Sequence, residues 1–235
     1  KALPFNFQTF KTRALTALLF VAVMLIGLFW NATSFIVLFT IIHFGCWFEF
    51  VKLMKKIYPA KYLLYSLSGL LYITLPVLMI IEFRLEYLSV TANIEIDEWR
   101  FVVMPCFIIF CMWVNDTMAY LVGSFIGKTP FSKISPKKTW EGTIGGIILC
   151  AVVMGFAGKS LGRNYFTNNT HYFICAFIAS VMGTLGDLFE SKLKRMAGVK
   201  DSGSFMPGHG GFLDRFDSLL FAIPAVWLYI QFIVK

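Results

Sequence analysis

The chain concentrates its chemistry in the segments Ser191–Arg195, Lys200–Ser204 and Pro207–Asp217, with five cationic side chains, three aspartates, a histidine and four glycines. If a helix begins near Gly211, Asp214 and Asp217, three residues apart, project from one face of its first turns. Asp201 can return to that face through the glycine-rich turn. Carboxylates grouped this way repel one another unless a cation sits between them, and hard oxygen ligands suit magnesium. Lys194, Arg195, Lys200 and Arg215 meet the opposite need, which is to hold anions. Glycines 203, 208, 210 and 211 let backbone amides approach a phosphate. The alternative is a surface salt-bridge loop beside a membrane, where a combination of Pro-Gly-His-Gly-Gly with Asp-Arg-x-Asp has no structural necessity.

Two further groups carry charge into apolar surroundings. Asn115-Asp116 lies within the apolar run Phe101 to Ile126. An aspartate there costs a few kcal/mol unless it faces a wet or paired interior. Two readings are open: an interhelical hydrogen bond, or a carboxylate lining a polar cavity. Gly123 and Gly127 form a small-xxx-small pair that lets another helix approach. In Ser135-Pro-Lys-Lys-Thr-Trp-Glu-Gly142, Ser135 is a plausible N-cap and Pro136 a first helical residue. Lys137 and Lys138 would then occupy the first turn, where the dipole disfavours cations unless an anion is bound. Snorkelling lysines that merely fix topology are the alternative. Gly142 and Gly146 give the new helix a close-packing face.

Magnesium-binding acids beside phosphate-binding bases are what phosphoryl or nucleotidyl transfer requires. The sequence has no Gly-x-x-x-x-Gly-Lys-Ser/Thr loop, no kinase signature and no defensible Ser–His–Asp order. The residues alone therefore point to an integral-membrane enzyme handling a phosphorylated lipid and a nucleotide-like anion.

The elements that must position these groups are membrane helices. The chain has 235 residues, 58% of them hydrophobic and 17% aromatic. A soluble domain of that size cannot hide so much apolar side chain. About seven spans are expected, at 13–31, 33–53, 62–82, 101–126, 142–160, 172–191 and 212–234, in an all-α polytopic bundle. The first is too long, and too far from a small-residue cleavage site, for a signal peptide. Alternating strands of a β-barrel are not seen. The net charge of +8 is unevenly spread. Lys11 and Arg13, Lys52 to Lys61, Lys128 to Lys138 and Lys192 to Lys200 fall on one side. By the positive-inside rule that side is cytoplasmic. The basic loop at 52–61 needs no role beyond topology and contact with anionic lipid. The five cysteines all sit in apolar segments without metal spacing. Residues 1–65 form an N-terminal hairpin and basic loop, and 66–235 the catalytic membrane domain, with no linker or repeat between them.

Ser191-x-Leu-Lys-Arg-x4-Lys-Asp-x-Gly-x2-Met-Pro-Gly-His-Gly-Gly-Phe-x-Asp-Arg-Phe-Asp217 resembles the signature of phosphatidate cytidylyltransferases, the CDP-diacylglycerol synthases. Asn115-Asp-Thr-x-Ala-Tyr120, Ser135-Pro-Lys-Lys-Thr-Trp-Glu-Gly142 and Gly186-Asp187 also resemble family motifs, in the family's order. The likeness covers about residues 66–235 and its style is bacterial. Met206 stands where the family usually has Leu, Ile or Phe. The family commonly has nine spans, so this is a short member or a chain lacking some N-terminal helices.

The resemblance implies transfer of the cytidylyl group of CTP to phosphatidate, giving CDP-diacylglycerol and pyrophosphate. It implies catalytic roles for Asp201, Asp214, Asp217, Lys200 and His209, the histidine as phosphate donor or loop organiser rather than base. Magnesium would fall to Asp201, Asp214 and Asp217, supported by Asp187 and Asp116, and a second, monovalent cation is a further expectation. Ser135, Lys137, Lys138 and Thr139 would contact substrate, together with Lys194, Arg195, Arg215 and Asn115. The expected partners are CTP, phosphatidate, membrane lipids and a second copy in a homodimer, with no nucleic acid. The expected setting is a bacterial inner membrane with the site on its cytoplasmic face. The rivals are a CTP-dependent isoprenoid-alcohol kinase of dolichol or phytol type, and a lipid or anion transporter. A transporter would show broken helices in two related halves, which the sequence lacks.

Overall fold

The structure, a computed structural model, describes residues 7–90, 99–132, 134–162, 165–205 and 210–234, with side chains from residue 15 onward except at 86–90 and 99–101. Among these described residues eight α-helices follow one another: α1 Phe7–Phe29, α2 Ala32–Ile57, α3 Tyr62–Ser66, α4 Leu75–Val90, α5 Trp99–Ile126, α6 Trp140–Leu161, α7 Thr170–Met196 and α8 Leu213–Tyr229. A π-helical segment, Leu70–Thr74, leads into α4, and a second, Ile230–Val234, ends α8. Among the described residues there is no strand, only an isolated bridge between Pro130 and Thr139.

Among the described residues six segments are long and apolar enough to cross a membrane: Ala32–Ile57, Tyr62–Leu85, Val102–Ile126, Trp140–Leu161, Thr170–Met196 and Leu213–Val234. A shorter apolar helix, Leu15–Phe29, makes the seventh. These match the expected spans closely. The bundle buries Phe35, Phe39, Phe50, Ile80, Met104, Ile108 and Tyr172 at its centre, while Leu18, Phe44, Leu71, Phe125 and Phe232 point outward. An apolar exterior over an apolar core is the mark of a bundle solvated by lipid.

The most extensive packing joins α5 to α6, α6 to α7 and α7 to α8. The α5–α6 contact follows from glycine: a Cβ at Gly146 would lie 2.9 Å from the Ala119 Cα and one at Gly142 2.9 Å from the Gly123 Cα. Backbones meeting this closely exclude larger residues. On the other side of the bundle, Trp47 Nε1 donates to Thr74 Oγ1 at 2.9 Å, and His43 Nε2 lies 2.9 Å from the same hydroxyl. That triad fastens α2 to the π turn.

Candidate functional site

The wall of the site is α5, held against α6 by the glycine contact. It presents the buried Asn115 and the more exposed Asp116 to a cavity of about 470 Å3 between α5, α6 and α7. Asn115 is buried, and its Oδ1 has no hydrogen-bond partner. A buried amide oxygen left unpaired costs free energy, so it is an acceptor available to whatever enters.

The loop between α5 and α6 supplies the opposite rim of that cavity with Ser135, Lys137, Lys138 and Thr139. Its geometry differs from the expected helix start at Ser135. The N-cap of α6 is Thr139, whose side chain accepts from Gly142 N, and Trp140 is the first helical residue. Phe131 N donates to Lys138 O at 2.8 Å and Trp140 N to Thr129 O at 3.0 Å. This pairing, with Thr139 extended, keeps the chain out of helix up to Thr139, so the helix cannot begin earlier. Glu141 then closes the turn by accepting from the amides of Lys128 and Thr129 and from Thr129 Oγ1. The lysines thus precede the helix and do not occupy its first turn. Lys137 is exposed, and Lys138 forms an ion pair with Asp187 of α7.

The C-terminal cluster is organised by the start of α8. Asp214 Oδ2 accepts from Gly211 N at 2.8 Å and Ser202 N at 2.9 Å, while Oδ1 accepts from Lys194 Nζ at 2.7 Å. Lys194 also pairs with the fully buried Glu190 one turn earlier. Lys194 therefore serves two internal carboxylates. Asp217, one turn into α8, is 7% exposed and turned to the bundle interior, its Oδ1 accepting from Ser218 N at 2.6 Å. It lines a second cavity, of about 180 Å3, with Asp116, Asp187, Asp214 and Arg215. Gly186 permits this: a Cβ there would lie 2.5 Å from the Asp217 carbonyl oxygen.

Asp116 and Asp187 line both cavities. Three sequence groups distant along the chain meet at this pair. Asp201 stands apart from it. It lines a third cavity, of about 490 Å3, with Lys52, Lys55 and Lys56. Arg195 and Lys200 are exposed beside that end of the bundle. His209, with Met206, Pro207 and Gly208, lies outside the described residues.

Glu49 of α2 is absent from the expected set, yet it is 3% exposed and contacts the start of α8. The available signal was its charge, the one carboxylate of α2.

No group of three or more His, Cys, Asp or Glu side chains among the described residues is gathered as a ready metal nest. Magnesium does not need one: it is commonly held by one or two carboxylates and completed by substrate phosphates and water. Asp116, Asp187, Asp217 and the unpaired Asn115 Oδ1 are hard oxygen donors around adjoining cavities. That donor set fits the ion.

A model described as the cytidylyltransferase family matches residues 96–233. The chain is 32% identical over 225 residues to the phosphatidate cytidylyltransferase of Rickettsia felis, covering 94% of this chain and 92% of that protein. It is 34% identical over 213 residues to that of Rickettsia conorii, covering 88% and 85%. With the phosphatidate cytidylyltransferase of Helicobacter pylori the identity is 41% over 119 residues, 51% of this chain and 44% of that one. The Rickettsia matches reach into the N-terminal hairpin, beyond the 66–235 on which the sequence motifs rest.

Proposed function

The chain belongs to the cytidylyltransferase family, and from that premise we propose how its cavities divide the work. The enzyme transfers the cytidylyl group of CTP to phosphatidate, forming CDP-diacylglycerol. A phosphate oxygen of phosphatidate attacks the α-phosphorus of CTP, that bond forms as the α–β bridging bond breaks, and pyrophosphate leaves with the electron pair. The phosphate of phosphatidate is already largely ionised at neutral pH, so no strong general base is required. Positioning and charge neutralisation carry the catalysis.

The observation that supports the reading is the meeting of two cavities at Asp116 and Asp187, one rimmed by Lys137 and Lys138, the other by Asp217 and Arg215. Ser135, Lys137, Lys138 and Thr139 are assigned to phosphate oxygens, with Asn115 offering its amide. Arg215 is assigned to the phosphate that faces the smaller cavity. Asp217, Asp187 and Asp116 are the residues assigned to hold magnesium, which when bound draws charge from the transferring phosphoryl group. Basic loops at this end of the bundle support a setting on the cytoplasmic side of a bacterial inner membrane, where CTP is available. Lipid tails remain in the bilayer while the head group reaches the site.

The test is product identity. Purified protein is given phosphatidate, an isoprenoid alcohol, magnesium and CTP labelled at the α-phosphorus. Label in the lipid with release of pyrophosphate supports the reading. Label recovered as CDP, with the γ-phosphate on a lipid alcohol, would mean kinase chemistry and overturn it.

A further inference from the structure

The contact between the N-terminal hairpin and the start of α8 is too specific to be packing alone. Glu49 Oε1 accepts from Phe212 N at 3.0 Å, and Oε2 accepts from Leu213 N at 2.9 Å. These are amides at the beginning of a helix, which lack intrahelical acceptors and carry the positive end of the dipole. A carboxylate answers both needs at once, from a helix 163 residues earlier in the chain. It also reaches the loop ahead of α8, since Ser202 Oγ lies 2.7 Å from Glu49 Oε2 and 2.9 Å from Asp214 Oδ2. A hydroxyl has one proton to donate, so Ser202 is a junction shared by two carboxylates.

The fit around Glu49 is close. A Cβ added at Gly203 or at Gly211 would overlap its carboxylate. Two glycines of the C-terminal cluster are thereby explained by a side chain of α2, not by a phosphate. Burying a carboxylate in a membrane helix is costly, and an apolar residue would pack at less expense. Glu49 also lies outside the family-matched residues 96–233.

We infer that Glu49 is a positioning residue for cytidylyl transfer, setting the start of α8 and the Ser202 loop so that Asp214, Arg215 and Asp217 are presented correctly. The inference rests on the function proposed above. Glu49 lines neither of the two cavities that meet at Asp116 and Asp187. It therefore acts through α8 and not on substrate. Misplacing reacting groups by about 1 Å can cost on the order of 100-fold in rate.

The test compares wild type, Glu49→Gln, Ser202→Ala and the double variant in detergent or nanodiscs, with kcat and KM measured separately for CTP and phosphatidate. Glu49→Gln keeps the shape but turns an NH2 group toward a backbone donor. Its kcat should fall about 10- to 100-fold with KM within roughly threefold. Ser202→Ala should lower kcat in the same sense, and the double variant should cost less than the product of the two effects, because both break one link. Amide exchange should rise in a peptide covering residues 210–217 and stay unchanged in α5 and α6. A wild-type kcat in Glu49→Gln, a change confined to KM, or fully multiplicative effects would overturn the inference. If Glu49→Gln does not fold, Ser202→Ala decides: a lowered kcat at constant KM supports the link, and an unchanged kcat overturns it. An inactive wild type would instead count against the proposed function.

Discussion

Lys138 forms an ion pair with Asp187 across 49 residues of sequence, joining the loop ahead of α6 to α7 where the two cavities meet. Both ends remain partly exposed, at 34% and 27%. A pair that accessible adds little to stability. On the proposed assignment its lysine turns from Asp187 to an arriving phosphate, which leaves Asp187 for a cation.

Lys138→Ala should accordingly leave the melting temperature almost unchanged. It should lower kcat/KM on the order of 10- to 100-fold, the equivalent of about 1.5–3 kcal/mol for a hydrogen bond to a charged group. Steady-state kinetics at limiting CTP and limiting phosphatidate check this. Unchanged kinetics would return Lys138 to a topological role.

Lys194 should behave in the opposite way. It neutralises Glu190, which is fully buried, and Asp214, which is 10% exposed. Lys194→Met strands a buried carboxylate, at a cost of about 3–5 kcal/mol. Thermal unfolding in detergent should show a clear loss of stability, while Lys192→Met, at an exposed position of the same helix, should not.

The α5–α6 contact makes a packing prediction. Gly146→Val places side-chain carbons where the Ala119 backbone already lies. Overpacking of this kind costs roughly 1–3 kcal/mol and spreads the wall that carries Asn115 and Asp116. Both the melting temperature and turnover should fall, and Ala119→Gly in the same chain should recover part of each. Absence of any recovery would show that the contact does not limit the fit.

Metal removal tests the ligand assignment. Chelation of magnesium should reduce pyrophosphate release to background, and added magnesium should restore it. Monovalent salt of equal ionic strength should not. Full activity in excess chelator would contradict the roles given to Asp116, Asp187 and Asp217.

The helices were legible because hydropathy alone marks a span: 33–53 became Ala32–Ile57 and 172–191 became Thr170–Met196. Asp116 and Asp187 were legible as charges beside or within apolar runs, and Asp217 by its spacing from Asp214. The start of α6 was not, because Thr139 becomes the N-cap only once Thr129 and Phe131 pair with residues 138–140, and local propensity around Ser135 carries no trace of that pairing. Asp201 looked like a partner of Asp214 and Asp217 through a flexible turn. Instead Ser202 takes the place beside Asp214, and Asp201 faces the lysines of α2. Glu49 was hidden for a related reason: its partners are backbone amides far along the chain, and no side-chain pattern announces them.

On the proposed assignment, the reaction is run at the junction of Asp116, Asp187 and Asp217. The most direct measurement is pyrophosphate release from CTP and phosphatidate in Asp217→Asn and Asp201→Asn, side by side across magnesium concentrations. Asp217→Asn should lose on the order of 100-fold or more in kcat while still inserting into membranes, because it removes transition-state electrostatics. Asp201→Asn should retain activity within about tenfold of wild type, in keeping with a residue outside the reacting centre. The reverse order of effects would contradict the account.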